Sequence, residues 1–137
     1  MSDITAAIYK PYYERVYANP HTIIPDLLAK SKVKPVIEGV SDRRVFSDST
    51  QTMEVHVLRD SPHNAGLVVA YFPKQRTLVQ ADVFTPPPPD APPPAKPDPA
   101  ALNLYENIQR LKLDVEQIAP IHGRVAKMEE LRKAVGR

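Results

Sequence analysis

The residues best suited to chemistry in this sequence are His63, Asp82 and His122, each standing just before or just after a strand-like run. His63 opens the turn His63-Asn64-Ala65-Gly66, Asp82 follows the run Thr77–Ala81, and His122 lies in the turn Pro120-Ile121-His122-Gly123. Imidazole nitrogens and carboxylate oxygens are the donors that hold zinc and similar ions. If the strands lie side by side, the three side chains converge on one edge of the sheet. Each also has a plainer reading. His63 serves equally as a turn residue, Asp82 as a turn cap, and His122 as the partner of a buried backbone carbonyl.

The elements that must position these residues follow from periodicity. Ile4, Ile8, Tyr12 and Val16 form an i, i+4 series on one helical face, with Ser2 or Asp3 as cap and Pro11 predicting a break or late start. Asn19-Pro20-His21 reads as a stop, and Pro25–Lys30 as a short second helix. Val36–Val40 and Arg44–Phe46 are candidate strands. In Thr52–Leu58, Met53, Val55 and Val57 share one face and Glu54 and His56 the other. The apolar run Gly66–Phe72 has the pattern of a strand covered on both faces, and Thr77–Ala81 follows after a polar turn. Short connections between these runs predict an antiparallel meander. Helical spacing returns over Asn103–Leu113, Val115–Ile121 is a short strand, and Lys127–Val135 is a closing helix stopped by Gly136.

Composition narrows the class. The 137 residues fit one domain with a core of adequate size. Eighteen basic residues stand against 16 acidic ones, a net charge of +2, and they are scattered, which gives no electrostatic case for nucleic acid. The absence of cysteine excludes disulfides and thiolate zinc sites. No run is long enough to span a bilayer and Met1-Ser2-Asp3 opens no secretory signal, so the expectation is a cytoplasmic chain without membrane contact, its parent protein open to export.

The stretch from Val55 through His63 to the strand Gly66–Phe72, then Pro73-Lys74 and Leu78-Val79-Gln80-Ala81-Asp82, resembles the later half of a metallo-β-lactamase-fold hydrolase. Pro120-Ile121-His122-Gly123 is similar to that family's last metal-binding turn, and Asn103–Leu113 to the helix before it. The resemblance implies that His63 completes a first metal site, Asp82 bridges two metals, and His122 belongs to the second. It further implies that the metal is zinc or another divalent ion and that the family's chemistry is hydrolysis by a metal-bridging hydroxide. His56 then fits no ligand position and reads as a surface or satisfied strand histidine, and His21 as a turn residue.

The sequence departs from the family in one decisive respect. The His-x-His-x-Asp-His signature is missing, and with it four of the seven expected ligands. The resemblance therefore implies a C-terminal fragment or remnant, inactive or weakly active alone. The implied fold is α/β: half of an αββα sandwich, with a mixed, mainly antiparallel sheet of about five strands and helices on one face. Such a half leaves an apolar sheet face uncovered, either that of Leu67, Val69 and Tyr71 or its opposite. The expected partners are a second copy packed sheet to sheet, or the missing N-terminal half.

Residues 85–99 hold nine of the chain's 16 prolines and should run extended as polyproline II. They read as a stiff spacer from Asp82 to the helix at Asn103. The competing reading is a non-catalytic binding or scaffold module, using the open sheet face or presenting the prolines to an SH3- or WW-like groove.

Overall fold

Alternation along the strands sorts their side chains onto two faces of the sheet, of which one is covered. The computed structural model describes residues 2–18, 27–31 and 36–137. Its central feature is a six-stranded sheet whose spatial order follows the chain: β1 (Arg43–Ser47), β2 (Thr52–Val57), β3 (Val68–Phe72), β4 (Thr77–Gln80), β5 (Gln117–Pro120) and β6 (Ala126–Lys127). All neighbours are antiparallel except β4 and β5, which run parallel with Leu78 opposite Ile118 and Gln80 opposite Pro120. The mixed, mainly antiparallel sheet agrees with expectation, and the sixth strand is the two-residue β6 that periodicity is too short to reveal.

Two helices cover one face. In α3 (Pro99–Leu111) and α4 (Met128–Ala134), Ala101, Leu104, Ile108 and Leu131 are buried against Val69, Tyr71, Leu78 and Ile118 of the sheet. Leu78, Leu104, Ile118 and Leu131 have no exposed surface and form the centre of the core. Helix α3 begins four residues before the sequence expectation. The side chain of Asp98 accepts hydrogen bonds from the amides of Ala100 and Ala101, and Pro99 occupies the first turn, where its missing N–H costs nothing.

The face carrying Val69 and Tyr71 is thus covered, and its opposite, with Met53, Val55, Val68, Ala70, Phe72 and Val79, is only half-buried. Strand β2 reverses the usual rule: its polar face is the covered one. His56 is 3% exposed, while Met53, Val55 and Val57 lie on the open side. The expectation that β3 is covered on both faces is corrected for the same reason.

Two further expectations are modified. Helix α1 (Asp3–Ala18) runs unbroken through Pro11, because both Pro11 and Ala7, whose carbonyl loses its partner, face solvent. Its Ile4, Ile8, Tyr12 and Val16 face is exposed, and within the helix only Ala6 is buried. Residues 36–39 form no strand: Val36 is 83% exposed, and Val40 makes a single bridge, to Ser2. Helix α2 is described over Leu27–Lys30; its expected start at Pro25-Asp26 and the stop at Asn19-Pro20-His21 lie outside the described residues. No helix among the described residues is long and apolar enough to cross a membrane.

Candidate metal edge

Parallel pairing of β4 with β5 is what brings Asp82 and His122 together, since parallel neighbours end on the same side of the sheet. The antiparallel strand β3 begins at that side, so the loop leading into it delivers His63 there. Nε2 of His122 lies 3.0 Å from Oδ1 of Asp82, and Nε2 of His63 lies 3.8 Å from Oδ2. The three residues proposed from sequence are therefore gathered at one sheet edge. Each is about half-exposed: 43% for His63, 40% for Asp82 and 65% for His122.

Each residue is held by a local device. The carbonyl of Leu67 accepts the amide of Leu58 at 2.9 Å, closing the His63 loop at its base. Two asparagines of α3 grip that loop's start. Asn107 accepts from the Arg59 amide at 2.9 Å and donates to the Arg59 carbonyl at 3.0 Å, and Asn103 donates to the carbonyls of Arg59 and Asp60. Asn107 is buried, so these bonds satisfy a group that would otherwise be costly to enclose. Gly66, with φ +82°, ends the loop, and a Cβ there would strike the Ser2 hydroxyl.

Gln80 organises the next turn. Its buried side chain donates to the Phe84 carbonyl at 2.6 Å and accepts from the amides of Val83 and Phe84. This clamp holds Asp82 in a left-handed conformation, φ +65°, at the turn's apex. The carbonyl of Gln80 also accepts the Ile121 amide at 3.1 Å, tying the His122 turn to the same residue. Gly123 then supplies a φ of +90° that reverses the chain after His122.

Donors sharing one tetrahedral zinc ion stand about 3.3 Å apart. The two His–Asp separations bracket that value, but they use opposite oxygens of one carboxylate. Each oxygen thus has one imidazole, which is two donors of a four-donor shell. Among the described residues no group of three or more histidine, cysteine or acidic side chains is arranged to hold one ion. The donor types fit a metal; the set present here does not close a shell around it.

Periodicity overlooks the residues that position these donors. A glutamine at the core-facing parity of β4, two residues after the fully buried Leu78, was the signal for Gln80. The i, i+4 pair Asn103 and Asn107 on an otherwise apolar helix face was another. His56 is neither a surface residue nor a fully satisfied one. Its Nε2 lies 2.8 Å from Glu54, while its buried Nδ1 has no partner. Burial works to raise the Glu54 pKa, but hydrogen bonds from His56 and Arg43 outweigh it and leave the carboxyl below its ordinary value.

No protein-family model matches the sequence, and no curated protein matches it. Solved structures do. A metallo-beta-lactamase from Pontibacter korlensis is similar over 98% of this chain and 54% of its own, with a TM-score of 0.58 at 18% identity. Rubredoxin oxygen:oxidoreductase from Desulfovibrio gigas is similar over 98% of this chain and 36% of its own, with a TM-score of 0.59 at 14% identity. An archaeal metallo-beta-lactamase superfamily protein from Sulfolobus tokodaii aligns over 99% and 52%, with a TM-score of 0.53 at 12% identity. The chain spans about half the length of the two metallo-beta-lactamase relatives and about a third of the oxidoreductase. These 137 residues have the fold of a portion of the metallo-β-lactamase superfamily sandwich, one mixed sheet with helices on one face.

Proposed function

We propose that this chain is the C-terminal portion of a metal-dependent hydrolase, and that His63, Asp82 and His122 are its share of a two-metal site. The observation that carries the reading is the disposition of Asp82, one carboxylate oxygen toward each imidazole. A carboxylate so flanked suits a bridge between two ions, His63 serving one and His122 the other. Metal ions in such a site generate a hydroxide near neutral pH and polarise the bond to be cleaved. The missing donors come from polypeptide outside these residues, in keeping with the absent His-x-His-x-Asp-His signature. Alone, the chain has weak metal affinity and little or no hydrolytic activity.

The experiment is metal content after chelator treatment and dialysis against zinc, with His63→Ala and His122→Ala in parallel. Bound zinc that falls in both variants supports the reading. Zinc retained in both, or none bound by the parent chain, overturns it.

A second reading is favoured by the half-open apolar face of Met53, Val55, Phe72 and Val79. On this reading the chain is a self-associating module, two copies packing sheet to sheet. Sedimentation velocity across a concentration series tests it, and a chain that stays monomeric at high concentration sinks it. Replacing all three candidate ligands separates the readings, because metal binding is lost in the first and association is untouched in the second.

A further inference from the structure

The donors at the metal edge form two half-built shells. His122 and one oxygen of Asp82 make one pair, His63 and the other oxygen a second. Each pair supplies two donors where a tetrahedral ion takes four. Among the described residues no third side chain completes either shell. The donor types fit a metal; their number within one chain does not.

A second copy makes up the shortfall. Two chains together hold four imidazoles and the four oxygens of two carboxylates, the full complement of two tetrahedral ions. Away from its symmetry axis, an isologous interface pairs unlike positions of the two copies. The His63 pair of one chain then meets the His122 pair of its partner, and the reverse.

The surroundings suit that approach. All three ligands stand exposed at one end of the sheet. The Gln80 side chain fixes the Asp82 turn and the Gln80 carbonyl fixes the turn of His122, so these donors are in place before a partner arrives. Ile121 beside His122, and Val125 at the exit of the same turn, are also exposed and give two copies apolar surface to bury beside the ions. Without metal, the two Asp82 carboxylates brought together repel one another, which makes the contact depend on the ions.

We infer that two copies of this chain share two metal ions across a two-fold axis, each ion held by His63 and Asp82 of one copy and by Asp82 and His122 of the other. The inference rests on the reading of these three residues as metal ligands. It names a partner which that reading does not: a second copy, wherever the polypeptide carrying the missing donors is absent. A shell closed by four side chains leaves no open position for the water that hydrolysis needs, so the paired form is structural and catalytically silent. The two partners compete for one edge.

The test is sedimentation velocity with zinc analysis on the chelator-treated chain, followed by mixing of two variants. Added zinc should give a dimer carrying about one ion per chain. Dilution should dissociate the dimer and release zinc together, because binding and association are one equilibrium. His63→Ala and His122→Ala should each lose the dimer and its zinc, since every shell then lacks a donor. Mixed in equal amounts, the two variants should regain about half an ion per chain, because one shell of the mixed pair is complete. His122 of the first variant and His63 of the second supply it. Donors that act within one chain are not rescued by mixing. Amide NMR spectra verify that both variants fold. Zinc held by a monomer, with no rescue on mixing, overturns this inference and leaves the metal reading standing. A zinc-dependent dimer that mixing does not restore overturns the shared shells. No zinc bound at any chain concentration overturns both.

Discussion

At the scale of single residues, the backbone and the carboxylate of Asp82 are separable. Its left-handed φ is one that asparagine adopts readily and a β-branched residue does not. Asp82→Asn should therefore keep stability within about 0.5 kcal/mol while removing the charge between the imidazoles. Asp82→Val should cost about 1–3 kcal/mol by strain alone. Denaturant midpoints of the two variants distinguish these outcomes. Gln80→Ala should destabilise by about 1–3 kcal/mol, because it leaves the buried Val83 and Phe84 backbone groups unpaired. It should also lower zinc uptake if Asp82 is a ligand. Glu130 offers a pH test. Hydrogen bonds from Arg124 and the Lys127 amide lower its pKa from 4.5 to about 2. A carboxyl depressed on folding stabilises fully above its unfolded pKa, and that stability is lost as pH falls from 4.5 through about 2. Carboxyl-carbon NMR should find the Glu130 midpoint near the lower value, and in Arg124→Met it should return toward the ordinary one.

At the scale of elements, most strands and the two core helices were legible because their apolar residues repeat with clean periods. The run Thr77–Ala81 and the alternation of Thr52–Leu58 gave β4 and β2 nearly to the residue. Periodicity says which residues share a face; it does not say which face is covered. In β2 the pairing of Glu54 with His56 and Arg43 lets the polar side lie inward, an arrangement visible only once the neighbours are known. The run Val36–Val40 has strand composition but, among the described residues, no strand beside it beyond the Ser2 bridge. The clustering of His63, Asp82 and His122 was legible from their places at strand ends, whereas their supports, Gln80 and Asn107, read as ordinary polar residues until the hydrogen bonds were drawn. For α3, Asp98→Ala should cost about 0.5–2 kcal/mol by removing the cap on two amides. Thermal or denaturant unfolding measures that loss, and Asp98→Asn should recover most of it.

For the molecule as a whole, one sheet face is sealed by helices and the other stands half open. Edge pairing is disfavoured: β1 carries Arg43 and Arg44, and β6 is two residues long. If metal-free copies associate, they should do so face to face, and Val55→Lys should shift the equilibrium toward monomer in sedimentation. Leu104→Ala, in the closed core, should instead cost about 2–5 kcal/mol regardless of concentration. Helix α1 stands apart from both layers. The Ser2 hydroxyl caps the Thr5 amide, the Asp3 amide reaches the Val40 carbonyl, Ala6 is buried, and beyond that turn the helix faces water. Its amide protons from Ile8 to Ala18 should therefore exchange with deuterium through local opening, orders of magnitude sooner than those of β3, β4 and α3. The cooperative unit that unfolds as one thus excludes most of the first eighteen residues, and a partner laid against the tyrosines of α1 would be recorded as slowed exchange there before any change in the core.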